Sequence, residues 1–190
     1  MQLLEQRILA SGKVLPGDVL KVDSFLNHQL DTELLDEIGR EIARLFEGGD
    51  VTKVLTAETG GIAIACFTAR YLHCPAVYAK KAKPSNLAAD VWSAEVHSYT
   101  HNNDYVMSVS KEYIGKDDTV LLVDDFLANG CALRGMLEIC RKAGAKVAGA
   151  GIAVEKGYQD GGNELRREGL RIESMAKIAS MDPEDGIRFC

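Results

Sequence analysis

The chain has 190 residues, 46% hydrophobic and 26% charged, the make-up of one folded domain and too apolar for a disordered chain. Its 22 basic residues against 28 acidic ones leave a net charge of −6, which argues against a protein built to neutralise long phosphate backbones. Glu5 and Arg7 interrupt the first leucines and no long apolar run follows, so neither a secretory leader nor a membrane span is expected.

The first clear helix is predicted over 32–46, where Leu34, Leu35, Ile38, Ile42, Leu45 and Phe46 recur at helical spacing. Asp31 or Thr32 can cap its start, and Gly48-Gly49 ends it. A strand over 53–57, the turn Glu58-Thr59-Gly60-Gly61, a helix over 62–72 and a strand over 76–79 make a βαβ unit, which implies parallel strands. Residues 80–101 show no sustained period and read as a long loop, the kind often used as a lid. Alternating Tyr105, Met107 and Val109 predict a half-buried strand, and 119–123 is an apolar run suited to a central parallel strand. A loop over 124–130, a helix over 131–143 closed by Gly144 and a buried strand over 146–154 complete the pattern. The fold class is therefore α/β, an open and mainly parallel sheet flanked by helices. Its ligands are expected at the carboxyl ends of the strands.

The strongest chemical signal is Val123-Asp124-Asp125-Phe126-Leu127-Ala128-Asn129-Gly130. An apolar strand runs into two acids, and Gly130 then opens a helix. A helix start presents unsatisfied N–H groups at the positive end of the dipole, which suits phosphate. Two carboxylates beside such a cradle suit the hydroxyls of a sugar phosphate; the alternative is a solvated turn before a capped helix. Either way the acids are expected to be exposed. The turn Glu58-Thr59-Gly60-Gly61 has the same strand-to-helix placement, and Lys80 and Lys81 follow the next strand as either diphosphate contacts or solvated charges. The five cysteines, Cys66, Cys74, Cys131, Cys140 and Cys190, are odd in number and form no C-x-x-C pair. Reduced thiols in a cytoplasm are expected, with Cys66, Cys74 and Cys140 buried. Cys131 at a helix start could have a lowered thiol pKa, but its backbone N–H explains the position equally well.

Three blocks in order, Gly17-Asp18-Val19-Leu20-Lys21-Val22-Asp23-Ser24-Phe25-Leu26-Asn27-His28-Gln29, Glu58-Thr59-Gly60-Gly61 and the Asp124-Asp125 segment, resemble the type I phosphoribosyltransferases over nearly the whole chain. Within the family the similarity is greatest to the branch that uses xanthine. The resemblance implies a purine attacking 5-phosphoribosyl 1-diphosphate, with diphosphate leaving. It assigns Asp124 and Asp125 to the ribose hydroxyls, and Ala128, Asn129, Gly130, Cys131 and Ala132 to the 5′-phosphate. It assigns Leu20, Asn27 and Lys156 to the base, under a hood built from about 1–30 and 155–190. An ammonium at Lys156 favours a 6-oxo purine over a 6-amino one. Phe25 and Phe189 are either base-packing residues or ordinary core. The resemblance also implies a flexible loop over about 82–104 carrying Ser98-Tyr99-Thr100, Mg²⁺ held mainly by the substrate, and a homodimer. One departure stands out. Many members have Thr or Ser where Asn129 and Ala132 stand, so main-chain amides and the Asn129 amide must do more of the phosphate binding. A guanine- or hypoxanthine-preferring enzyme stays open. So does a regulator that only senses phosphoribosyl diphosphate, although the acidic charge and the lack of room for a winged helix oppose it.

Overall fold

The computed structural model describes residues 1–82, 90–98 and 103–190. Ten strands and five helices are formed among them. The chain begins with helix α1 (Gln2–Ser11), which pattern reading had not picked out. Leu4 and Ile8 are its buried pair, while Leu3 and Leu9 face solvent. Apolar residues thus fall on more than one side, and no clear stripe marks the helix. A small antiparallel hairpin follows, β1 (Lys13–Leu15) with β2 (Val19–Lys21). Next come a π-helical turn over Asp23–Asn27 and helix α2 (Thr32–Leu45). Asp31 caps α2 by accepting a 3.1 Å bond from the Leu34 N–H, worth about 1 kcal/mol.

The remaining elements are β3 (Lys53–Ala57), α3 (Gly61–Leu72), β4 (Ala76–Ala82), β5 (Val91–Ser98), β6 (Asn103–Ser110), β7 (Thr119–Leu127), α4 (Cys131–Ala143), β8 (Lys146–Lys156), α5 (Asp160–Arg167), β9 (Ile172–Asp182) and β10 (Gly186–Phe189). Eight strands form one sheet in the order β10-β9-β8-β7-β3-β4-β6-β5. The pairs β9–β8, β8–β7, β7–β3 and β3–β4 are parallel, and the edge pairs β10–β9, β4–β6 and β6–β5 are antiparallel. The α/β class and the mainly parallel core are as expected.

Two expectations change. Residues 80–82 and 91–98 are not loop: the first extend β4 beside β6, and the second form strand β5, paired along its length with β6. Trp92, Ala94 and Val96 alternate and carry the burial, yet the small and polar residues between them weaken the signal. Tyr99 and Thr100, with 83–89, lie outside the described residues. The second change is that β7 runs on through Leu127, with Asp124, Phe126 and Leu127 opposite Ile152, Val154 and Glu155 of β8. The acids therefore stand within a strand, and only 128–130 connect it to α4.

Helices cover both faces. One core gathers Ile38, Ile42, Ile64, Leu121 and Val123 beneath α1, α2 and α3; the other gathers Leu55, Leu122, Leu133, Met136 and Ile139 beneath α4. Burial of such side chains contributes roughly 1.5–3 kcal/mol each before entropy is counted. The crossover through α3 leads outward to β4, and the one through α4 leads the opposite way to β8. The strand order reverses between β3 and β7, and a crevice opens at their carboxyl ends.

Glu155, near the end of β8 and 2% exposed, ties this end of the sheet together. Arg166 of α5 donates to both its oxygens at 2.7 Å, Lys177 of β9 lies at 3.1 Å, and the Ser174 hydroxyl donates as well. Burial alone would raise its pKa, but these donors bring it down to about 2 from the usual 4.5. A depressed carboxyl pKa stabilises the fold above pH 4.5, and the gain is lost as pH falls through about 2. The gain is at most about 3 kcal/mol. Urea unfolding as a function of pH should show this loss in the native chain. It should be absent from Glu155→Gln, which is less stable at neutral pH because Arg166 and Lys177 lose their shared counter-charge.

Candidate active site

The crevice brings the two glycine-containing turns and the acid pair together. A Cβ added at Gly60 would overlap the Asp125 carboxylate, and one at Gly61 would overlap the Thr56 hydroxyl and come within 3.2 Å of Asp124 Oδ1. Only glycine lets the Glu58-Thr59-Gly60-Gly61 turn lie this close to the acids. The turn is anchored from the neighbouring strand, since the Lys81 N–H donates to Glu58 Oε1 at 2.6 Å and the Glu58 N–H donates to the Ala79 carbonyl at 3.0 Å.

Asp124 is 7% exposed, so the expectation of an exposed acid is corrected. The extra ladder pairs of β7 carry it into the sheet. Its Oδ1 accepts from the Asp125 N–H at 3.1 Å, and Asp125 Oδ1 accepts from the Phe126 N–H at 3.0 Å. Burial first, and the Asp125 charge second, push the Asp124 carboxyl well above the usual range, while Lys81 pulls it down. A strained acid pair of this kind favours any ligand that brings positive charge or hydroxyl donors to it.

A cavity of about 180 Å³ is lined by Asp124, the 126–133 segment and Tyr105. All five cradle residues, Ala128, Asn129, Gly130, Cys131 and Ala132, border it. Gly130 has φ 78°, which glycine adopts without strain, and α4 starts directly after it. The cradle is backed by α5: a Cβ at Gly161 would strike the Asn129 carbonyl carbon and the Ala128 carbonyl oxygen. The main-chain N–H groups of the first turn of α4 can thus meet an anion. Cys131 is no poised nucleophile, because burial pushes its thiol up and outweighs the nearby Arg134. Cys140 is buried as expected and its thiol is pushed up to about 12. Cys66 is exposed, contrary to expectation, and Cys74 is half-buried; all five thiols are free.

Tyr105 and Gly161 escaped the sequence reading. Tyr105 was legible only as one member of an alternating strand, yet its ring borders the cavity with Lys81 Nζ 5.2 Å from its centroid. Gly161 sits in Asp160-Gly161-Gly162, a glycine pair opening a helix, and that unusual pair was the available signal. Lys80 is exposed and lines a different cavity whose walls include neither acid.

The residues expected to meet a base are spread over the hood. Lys156 ends β8, on the same sheet edge as the acids, and Leu20 of β2 is buried in the core. Asn27 is exposed at the end of the π-helical turn. Lys156 donates to the carbonyl of Asp18 and lies 3.3 Å from its Oδ2, joining β8 to the β1–β2 turn. Phe25 is fully buried among Leu4, Ile8 and Leu35, and Phe189 packs half-buried against the same core. Phe25 is core, and its ring has no free face to offer a base. Among the described residues no group of three or more His, Cys, Asp or Glu could hold a metal, and no helix is long and apolar enough to cross a membrane.

Comparison with known proteins agrees with this arrangement. The phosphoribosyl transferase domain family matches residues 22–164. A xanthine phosphoribosyltransferase of Bifidobacterium adolescentis is 52% identical over 187 residues, 98% of this chain and 97% of the relative. One from Lachnoclostridium phytofermentans is 50% identical over 186 residues, covering 98% and 96%. Among solved structures, the APRTase of Giardia lamblia complexed with 9-deazaadenine superposes with a TM-score of 0.75 at 22% identity, covering 92% of this chain and 97% of that one. An adenine phosphoribosyl transferase of Trypanosoma brucei gives 0.76 at 17% identity, covering 92% and 79%; these two speak to the fold alone. With an acid pair, a glycine turn and a helix-start cradle meeting at one strand-order reversal, and with relatives matched over 98% of its length, the chain belongs to the phosphoribosyltransferase family.

Proposed function

We infer that the chain transfers the 5-phosphoribosyl group from 5-phosphoribosyl 1-diphosphate to xanthine, giving xanthosine 5′-monophosphate and diphosphate. The observation that carries the substrate is half identity to xanthine phosphoribosyltransferases over nearly the whole chain. In this reading a ring nitrogen of the base bonds to the anomeric carbon, the bond from that carbon to the diphosphate oxygen breaks, and the proton of the ring N–H passes to solvent. Asp124 and Asp125 hold the ribose hydroxyls and face the positive charge that develops on the sugar. Residues 128–132 hold the 5′-phosphate, the 58–61 turn holds the diphosphate, and Lys156 donates to the 6-oxo group. Leu20 and Asn27 border the base. No protein nucleophile is needed, because positioning and electrostatics carry the step.

Mg²⁺ fits this donor set as a substrate-borne ion, with one or two carboxylates available beside the diphosphate. When bound it would neutralise diphosphate charge. A homodimer and a cytoplasmic location are part of the same reading. The first rests on the family resemblance and the second on five free thiols, which a reducing compartment maintains.

A panel of xanthine, guanine, hypoxanthine and adenine with phosphoribosyl diphosphate and Mg²⁺ tests the substrate. The expected result is the highest kcat/KM for xanthine and the lowest for adenine. Preferred use of guanine or hypoxanthine moves the chain to another branch of the same chemistry, and no turnover of any purine overturns the reading.

A further inference from the structure

Asp18 is held by three side chains from the other end of the chain. It sits in the turn between β1 and β2 with φ 63°, a left-handed backbone that aspartate and asparagine tolerate better than most residues. Its carboxylate accepts from three side chains on the far side of the chain. The Tyr158 hydroxyl donates to Oδ1 at 2.5 Å, and Gln159 Nε2 donates to Oδ2 at 2.5 Å. Lys156 Nζ donates to the Asp18 carbonyl and approaches Oδ2 at 3.3 Å. Lys156 at the end of β8, and Tyr158 and Gln159 just after it, therefore converge on one residue more than a hundred positions earlier.

Donor arithmetic gives this cluster a direction. An ammonium has three N–H donors. Two are engaged by Asp18, and the third has no protein acceptor among the described residues. A lysine on a free four-carbon stem would sweep many rotamers. Held at two points, this one can present its last donor to one place only. The Lys156 side chain is 13% exposed, so that donor works in a largely desolvated setting where a mispaired group is costly. Asp18 itself is ionised. Burial would raise its carboxyl pKa, but Tyr158, Lys156 and Gln159 outweigh it and hold the carboxyl below the usual range.

We propose that Asp18 is a positioning residue for base selection: it clamps Lys156 so that a single ammonium N–H faces the 6-oxo group of the purine. The proposal rests on the functional reading above. Asp18 touches no substrate in it and acts through Lys156 alone.

Asp18→Asn keeps the left-handed turn and the side-chain volume but removes the charge. The expected result is a rise of about tenfold or more in KM for xanthine, with KM for phosphoribosyl diphosphate and kcat within about twofold. A general loosening of the fold would move all three together. On a Lys156→Met background the same substitution should change KM for xanthine by less than about twofold, because its route of action is gone. NMR of the lysine ammonium groups of the free protein provides a readout that needs no substrate. A slowly exchanging Lys156 signal is expected in the native chain and should be lost in Asp18→Asn. Absence of that signal from the native chain, an unchanged KM for xanthine in Asp18→Asn, or a full effect on the Lys156→Met background would each overturn the clamp. If the native chain turns over no purine, the functional reading fails instead, and the ammonium signal still reports whether the clamp exists.

Discussion

Asp124→Asn is expected to lower kcat by about a hundredfold or more, the usual cost of removing one preorganised charge from a transition state, while the folded chain becomes more stable at neutral pH. Both halves follow from burial. Asp124 is 7% exposed beside a second carboxylate, so its charge is held where the protein alone does not want it. Its pKa is raised above the unfolded value of 3.8. The folded state therefore binds that proton more tightly, and stability from this group is greatest below pH 3.8 and falls as pH rises towards the folded pKa. Asparagine has no charge to desolvate and removes the penalty. Steady-state kinetics and thermal unfolding at pH 7 check the two halves together, and a raised melting temperature with turnover nearly gone is the expected pair. A variant with native turnover would take Asp124 out of the site. One that unfolds more easily would mean the carboxylate serves the fold instead.

Gly161→Ala is expected to damage phosphate binding from outside the cradle. A Cβ there would strike the carbonyls of Ala128 and Asn129 and lie 2.6 Å from the Gly130 nitrogen. These are main-chain atoms, so no rotamer can make way. Either α5 lifts or the cradle moves. Overpacking of this kind costs about 1–3 kcal/mol, or about 5 °C in melting temperature for a domain of this size. KM for phosphoribosyl diphosphate should rise about tenfold, with KM for xanthine changed far less, because small displacements of positioning groups are costly. Gly115→Ala is the control: nothing lies within 4 Å of its added Cβ, and neither constant should move. Equal loss in both substituted chains would show that the Gly161 effect does not come from the cradle.

The parts of the fold that were legible in sequence are those whose signal is local. The apolar runs of β3 and β7, the helical spacing of α2 and the glycine stops at Gly48 and Gly144 each fix an element without reference to the rest of the chain. Both turns of the candidate site lay at strand-to-helix junctions and were legible for the same reason. What escaped depends on partners distant in sequence. The strand character of Val91–Ser98 is settled by pairing with Asn103–Ser110. The burial of Asp124 is settled by β8 extending alongside it. The clamp on Lys156 joins positions 18 and 156, which no local pattern connects. Phe25 shows the reverse case, since two uses of an aromatic side chain were open and only its complete burial in the core decided between them.

The main-chain character of the phosphate cradle has a consequence for how the site would be found by experiment. At Ala128 and Ala132 an alanine scan changes nothing, and at Cys131 it removes a thiol that burial has already kept protonated. If the segment holds the phosphate as proposed, such a scan would report there only at Asn129, which loses its amide, and at Gly130, whose left-handed backbone a Cβ strains, and would pass over the other three residues. In that reading side-chain substitutions under-report the main-chain donors of the phosphate end. Replacing single amides of residues 129–132 with esters, which deletes one N–H donor and leaves every side chain in place, is the perturbation to which that end responds.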